Sequence, residues 1–306
     1  MRRLPLILIA LILSALACGL FTPASNSDAQ PAPNMETVST PVMLTTIPTF
    51  TLQAPTFVAP PPPALSPEDG FTLTAESIIN GYAVRAWENP KSDLSFDSVL
   101  MIEAANQPAI RVDMFSLLEY GTGIDVNGDG YPEVVVGTYS GGAHCCFGTQ
   151  VFSLRPDTAK LILQKPESNA SGYFHDLDYD GVSEFVTFDD SFAYEYCPYA
   201  AGVGVKVIMA YDAKQDWYVP STPRFANQFA GDIATHEKRA QAAPGEFGEW
   251  DGTNICAILP LALDFLYLGQ PDQAQAEFAL RYSGWDTDTK WTEILQTVQG
   301  SPLYTP

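Results

Sequence analysis

The stretch Asp125-Val126-Asn127-Gly128-Asp129-Gly130-Tyr131-Pro132-Glu133 recurs 51 positions later (125 to 176) as Asp176-Leu177-Asp178-Tyr179-Asp180-Gly181-Val182-Ser183-Glu184. Both copies read D-x-[DN]-x-D-G-x-x-E. Oxygen donors at the first, third and fifth positions, a glycine at the sixth that permits a sharp turn, and a closing carboxylate suit a hard cation that takes about six to eight oxygens. Calcium is the expected occupant, one ion per loop.

The residues after each loop set it apart from an EF-hand, which places a bidentate glutamate at position 12. Here that position holds Val136 or Thr187, and the closing carboxylate comes at the ninth. The continuations Glu133-Val134-Val135-Val136 and Glu184-Phe185-Val186-Thr187 are β-branched and aromatic, which predicts strand rather than helix.

Working outward, strands are predicted over 71–75, 82–87, 98–103, 109–113, 133–139, 146–154, 159–164, 184–188, 203–211 and 217–219. Turn signals such as Asn80-Gly81, Gly141-Gly142 and Arg155-Pro156-Asp157 divide them. Beyond about residue 230 the period becomes helical. Ile255, Ile258, Leu259, Ala262, Leu263, Leu266 and Tyr267 share a face, Gly269 stops that helix, and Pro271 opens another carrying Ala274, Phe278 and Ala279. Trp291, Ile294, Leu295 and Val298 predict a third. Gly269-Gln270-Pro271 with its flanks faintly resembles one tetratricopeptide hairpin, but one unit builds no array, so it is expected to cap the β part.

The loops resemble the nine-residue calcium loop of FG-GAP and VCBS-type repeats, as in the propeller blades of integrin α-subunits. The resemblance covers roughly residues 120–190. It implies side-chain coordination by Asp125, Asn127, Asp129 and Glu133 with the Tyr131 carbonyl, and by Asp176, Asp178, Asp180 and Glu184 with the Val182 carbonyl. The Phe-Gly and Gly-Ala-Pro elements that name the repeat are not evident, and two loops fall short of the about four to eight blades of a closed propeller. The expected fold is therefore mainly β with a C-terminal α-helical segment: a partial β-propeller-like or open antiparallel β assembly capped by a helical hairpin. Four carboxylates in the second loop against three and an amide in the first predict tighter binding at the second, in the range of about 10⁻⁴ to 10⁻³ M typical of extracellular modules.

The chain's beginning reads as a targeting segment. Arg2 and Arg3 precede an apolar run over 4–13, and Ser14-Ala15-Leu16-Ala17 leads into Cys18. The small residue before the cysteine resembles the lipobox of bacterial lipoproteins, which implies acylation of Cys18. Ala15-Leu16-Ala17 is equally an A-x-A site for plain secretion, and an uncleaved anchor ranks last because spanning a bilayer takes about 20 apolar residues. The organisation predicted is a signal peptide over 1–17, a Cys18 anchor with a Pro- and Thr-rich tether over 18–66, a β-rich domain over 67–225 and a helical region over 226–306. The expected location is extracytoplasmic, on the cell envelope.

Of 306 residues, 36 are Asp or Glu and 15 Lys or Arg, a formal net charge of −21. Such a surface repels nucleic acid and attracts divalent cations. Besides Cys18 there are four cysteines, Cys145, Cys146, Cys197 and Cys256, which an oxidising compartment would pair in one of three ways. A ring between neighbours strains the peptide, so Cys145 and Cys146 are expected to reach Cys197 and Cys256, in an order left open. His144 beside the two cysteines offers soft ligands for zinc or copper, but lacks a C-x-x-C or H-x-x-x-H partner. His175 is expected on a strand beside the second loop and His236 exposed on a polar helix.

A looser resemblance, carried by Gly141-Gly142-Ala143-His144-Cys145-Cys146, by Pro198-Tyr199-Ala200-Ala201 within 192–201 and by Asn254 to Ala257, is to a group of uncharacterised bacterial envelope proteins. It implies no activity. The function expected is a calcium-binding structural, binding or scaffolding module whose ligand is an envelope protein or a glycan. The alternative is a glycan-directed hydrolase using Asp189, Asp190 and Glu195, although no G-x-S-x-G elbow, H-E-x-x-H pair or phosphate-binding glycine loop is present. No residue is assigned as catalytic. Phe192, Tyr194, Tyr196 and Tyr199 offer rings to a sugar, with core packing the simpler reading.

Overall fold

The structure, a computed structural model, describes residues 61–92, 97–142 and 145–306. The β part is three antiparallel sheets of four strands, each taken in chain order. The first holds β1 (Thr72–Ile79), β2 (Tyr82–Glu88), β3 (Ser98–Glu103) and β4 (Ile110–Asp113). The second holds β5 (Phe115–Leu118), β6 (Glu133–Tyr139), β7 (Phe147–Leu154) and β8 (Ala159–Ser168). The third holds β9 (Tyr173–His175), β10 (Glu184–Asp189), β11 (Val205–Asp212) and β12 (Trp217–Pro220). The first hairpin shows how locally these are specified. Asn80 and Gly81 take φ of 47° and 83°, the positive pair that a two-residue turn matched to strand twist requires, and Ile79 faces Tyr82 across it.

Side chains alternate across each strand, and the three sheets use both faces. Val134 and Val136 of β6, with Phe152 and Leu154 of β7, pack against Tyr82, Val84, Leu100, Ile102 and Val112 of the first sheet. Val135 and Val151, one residue out of phase, join Phe174, Phe185, Val205 and Val207 on the other side. Double coverage is why the Val134-Val135-Val136 run is unbroken by polar residues. In the third sheet, Ile208 and Ala210 face away from that core and meet Phe225, Phe229 and Leu268.

After β12 the chain enters a 3₁₀ segment (Thr222–Phe229) that runs into α1 (Ala230–Arg239), followed by α2 (Ile255–Tyr267), α3 (Pro271–Arg281) and α4 (Thr287–Gly300). Every residue of α2 is buried, so it forms the spine on which α1, α3 and β11 pack. Gly269 at φ 71° ends its turn, with Gly269 N–H donating to Leu266 O at 3.0 Å and Gln270 N–H to Phe265 O at 2.9 Å. Pro271 then starts α3 where its missing N–H costs nothing. Asn254 closes the hairpin, its Nδ2 donating to Arg281 O at 2.8 Å and its Oδ1 accepting Ser283 N–H at 2.9 Å. Among the described residues, no helix is long and apolar enough to cross a membrane.

A buried carboxylate joins sheet to cap. Asp189, at the end of β10, accepts from the Tyr267 hydroxyl at 2.5 Å, from the Ser301 hydroxyl, and from Ser191 N–H at 2.9 Å. In the first sheet Arg85 is equally enclosed, donating to Glu76, Glu103 and the Pro61 carbonyl. Pro61 belongs to the stretch read from sequence as tether, and Ala64 N–H also reaches Glu103.

The mainly β fold with a helical C-terminal region is as expected, and the sheets form no closed barrel. Two strands, β5 and β9, are additions to those predicted. His236 differs as well: it is 23% exposed and its Nδ1 lies 2.6 Å from the buried Asp264 carboxylate of α2. Phe229 fills the space between the third sheet and the cap, whereas Trp285 is 97% exposed. Phe229→Ala is expected to cost about 3–5 kcal/mol in urea unfolding and Trp285→Ala no more than about 0.5 kcal/mol.

Candidate metal centre

The two acidic loops hold the same place in successive sheets. The first joins β5 to β6 and the second joins β9 to β10, in each case the first strand to the second. Their backbones alternate in the same way. Gly128 and Gly130 take φ of 74° and 90°, and Tyr179 and Gly181 take 62° and 91°. Those bends turn successive N–H groups inward onto the loop's own carboxylates.

Three hydrogen bonds correspond position by position. Glu133 Oε2 accepts Val126 N–H at 2.7 Å, and Glu184 Oε2 accepts Leu177 N–H at 2.9 Å. Asp125 Oδ2 accepts Gly130 N–H at 2.9 Å, and Asp176 Oδ2 accepts Gly181 N–H at 3.1 Å. Asp129 and Asp180 accept the N–H of Tyr131 and Val182 at 2.9 and 2.8 Å. Asn127 Oδ1 accepts Asp129 N–H at 2.9 Å.

Carboxylate oxygens of Asp125, Asp129 and Glu133 lie within 4.8 Å of one another, and so do those of Asp176, Asp178 and Glu184. Ligands about 2.3–2.6 Å from a shared calcium ion are at most about 5 Å apart, so both groups meet the size requirement. The two differ in detail: Asp129 at the fifth position joins the first trio, whereas Asp178 at the third joins the second and Asp180 stands outside it. Asp178 also accepts from Arg224 at 2.9 Å.

The first loop carries the sharper sign of a cation site. Glu133 is wholly buried, and its Oε1 has no hydrogen-bond partner; the buried Asn127 Nδ2 lacks one too. Burial, reinforced by Asp129 and Asp125, pushes the Glu133 carboxyl up to about 8. Burial raises Glu184 as well. A divalent ion would neutralise these clustered charges and give the orphaned oxygen its partner.

The loops touch each other. Ser183 N–H donates to Val126 O at 2.8 Å, and the buried Tyr218 hydroxyl lies 3.2 Å from Val126 O and 3.0 Å from Ser183 O. A methyl added to Gly128 would sit 2.9 Å from Val182 Cγ2. A cleft of about 540 Å³ opens beside them, lined by Asn127, Asp129, Arg155, Asp180, Glu184 and Tyr211 among others.

Sequence reading missed the residues that brace the loops. Arg155, in the turn after β7, donates to Asp129 Oδ2 through Nε at 3.0 Å and Nη2 at 2.8 Å, and forms a two-pronged pair with Asp216 at 2.7 and 2.6 Å. The Ser153 hydroxyl donates to the same Asp129 oxygen at 3.0 Å. Arg155 holds Asp216 far below the usual carboxylate range, helped by Lys160 and Tyr211. Arg155-Pro156-Asp157 reads only as a turn, and Asp216 lies 61 residues away, so no local pattern joins them.

Other sequence candidates fall elsewhere. Both oxygens of Asp189 are engaged, which fits a structural carboxylate and not an acid–base group. Phe192 and Tyr196 are buried, while Tyr194 and Tyr199 stack at 5.7 Å on the surface. The cysteines are arranged against expectation. Cys145 and Cys146 bond to each other, and Cys197 and Cys256 are free and buried. The adjacent pair sits in the β6–β7 turn, where Cys146 adopts φ 93° and its carbonyl accepts Ser140 N–H at 3.1 Å, and it is not part of the core that encloses the other two. His144 and Cys18 lie outside the described residues.

Tyr179 is the one non-glycine residue among these four bends, and it is 87% exposed. Tyr179→Gly is expected to stabilise the metal-free protein by up to about 1 kcal/mol, and Gly181→Ala to destabilise it by about 1–2 kcal/mol, in urea unfolding with chelator.

Comparison with known proteins agrees with the loop reading over a limited span. The FG-GAP repeat family matches residues 121–151, which take in the first loop, β6 and most of β7. The chain is 30% identical over 173 residues to the Probable thylakoid lumen protein of Synechocystis, covering 54% of this chain and 48% of that one. It is 25% identical over 173 residues to an uncharacterised protein, y4bJ, of Sinorhizobium fredii, covering 56% of this chain and 26% of the relative. The chain thus spans half or less of the length of these curated relatives. No solved structure matches.

Proposed function

We propose that this protein is an extracytoplasmic binding or scaffolding module whose sheets are set by two calcium ions. The observation that carries the reading is Glu133 Oε1, a carboxylate oxygen buried without a partner and converging with Asp125 and Asp129. Asp125, Asn127, Asp129 and Glu133 with the Tyr131 carbonyl would hold one ion. Asp176, Asp178, Asp180 and Glu184 with the Val182 carbonyl would hold the other. Calcium supplies charge neutralisation and rigidity; no catalytic step is assigned to it. The repeat match over 121–151 supports a propeller-like structural or binding role. The thylakoid lumen name of one relative and the signal-like start of this chain support a place outside the cytoplasm. Its partner would be an envelope protein or a glycan.

Calcium at millimolar concentration is expected to raise Tm by on the order of 3–6 °C over chelator, measured by scanning calorimetry. Glu133→Gln should remove much of that gain. An unchanged Tm in calcium would end the proposal.

The gain should also depend on pH. Without a cation the folded Glu133 titrates near 8 against 4.5 unfolded, so between those values the folded chain keeps a proton that the unfolded chain has lost. That contribution to stability declines as pH rises through this window. Calcium binds the ionised form, so its stabilising increment should be greater at pH 8 than near pH 5.

We propose further that lipid on Cys18 tethers the module to a membrane. Cys18→Ser should move the protein from the membrane fraction to the soluble one; retention of the variant on membranes would refute the anchor.

A further inference from the structure

We propose that Cys197 and Cys256 are joined by a disulfide in the mature protein, stitching the loop between β10 and β11 to the first turn of α2. Cys197 comes after the buried Phe192 and Tyr196 in that loop, and Cys256 is the second residue of α2. Both are buried in the main core, and the two sulfurs stand close enough for each to act on the other. The two are 59 positions apart in the chain (197 to 256), so their contact is made by the tertiary fold and not by local geometry.

The surroundings favour bond formation. Arg239 of α1 stands close enough to act on both sulfurs, fixed by its Nη2 donating to Ala201 O at 2.7 Å and by stacking over the Phe247 ring at 4.4 Å. The hydrogen bond with Cys256 draws the Cys197 thiol below its ordinary value, burial opposes, and the guanidinium adds to the lowering against Glu249. Left reduced, the pair would keep a titratable sulfur in a closed core; the covalent bond removes it.

The step needs a disulfide donor, supplied outside the cytoplasm by a thiol–disulfide oxidoreductase, and to that extent it rests on the location proposed above. The Cys197 thiolate attacks the donor disulfide, forms a mixed disulfide and releases one donor thiolate. Cys256, losing its proton, attacks the Cys197 sulfur, and the second donor thiolate leaves. Two protein thiols are oxidised and one donor disulfide becomes a dithiol. Because both sulfurs are enclosed in the finished fold, the exchange belongs to folding.

The test uses the full chain, refolded from denaturant in a mixture of oxidised and reduced glutathione, which makes the outcome independent of cellular location. The protein is then alkylated under denaturing, non-reducing conditions and mapped by peptide mass. The expected result is one cross-linked species containing Cys197 and Cys256 that separates into two peptides on reduction. The same link should persist in a Cys145→Ser/Cys146→Ser variant. In the native protein, dithiothreitol should open the Cys145–Cys146 bond, whose first residue is exposed, much faster than the buried one. Alkylation of Cys197 or Cys256, or their recovery bound to Cys145 or Cys146, overturns the proposal.

Discussion

One backbone hydrogen bond, from the Ser183 N–H to the Val126 carbonyl, holds the two acidic turns against each other. Each turn launches the second strand of its sheet, so fixing turn to turn also fixes β6 to β10. The buried Tyr218 hydroxyl, reaching both carbonyls from β12, ties the junction to the third sheet. The layering is a consequence: Val135 and Phe185 meet in one core while their neighbours Val134 and Val136 are released to serve another.

The electrostatics of the junction explain how so acidic a protein, with only 15 Lys and Arg, tolerates these turns. Two of its guanidiniums are placed there, Arg155 on Asp129 and Arg224 on Asp178. They compensate one carboxylate of each converging trio. Glu133, facing inward, has the Val126 amide on one oxygen and no partner on the other. That asymmetry, one carboxylate braced and another left without a partner, is what a group able to hold a cation requires.

Much of this was legible in the sequence because it is written in local patterns: two nine-residue turns, apolar runs that must be covered on both sides, and a change to helical period near residue 230. The parts that were not legible are short or remote. β5 and β9 have four and three residues and no β-branched residue to mark them, yet they complete the sheets and lead into the turns. Arg155, Asp216 and Tyr218 reach the site from distant parts of the chain, and the arrangement of the cysteines depends on the fold placing Cys197 and Cys256 in the main core and Cys145 in an exposed turn. The exposure expected for His236 failed for the same reason, since Asp264 approaches it from another helix.

The enclosed Asp189 also constrains how the molecule comes together. Its hydroxyl and amide donors come from the adjoining loop, from the end of α2 and from the segment after α4, so its negative charge is compensated only when all three have arrived. A helical cap docked one turn out of place would strand an ion in the protein interior, a fault costing several kcal/mol. The carboxylate thus works as a combination lock, admitting a single alignment of helices on sheet and penalising near misses that apolar contacts alone would forgive.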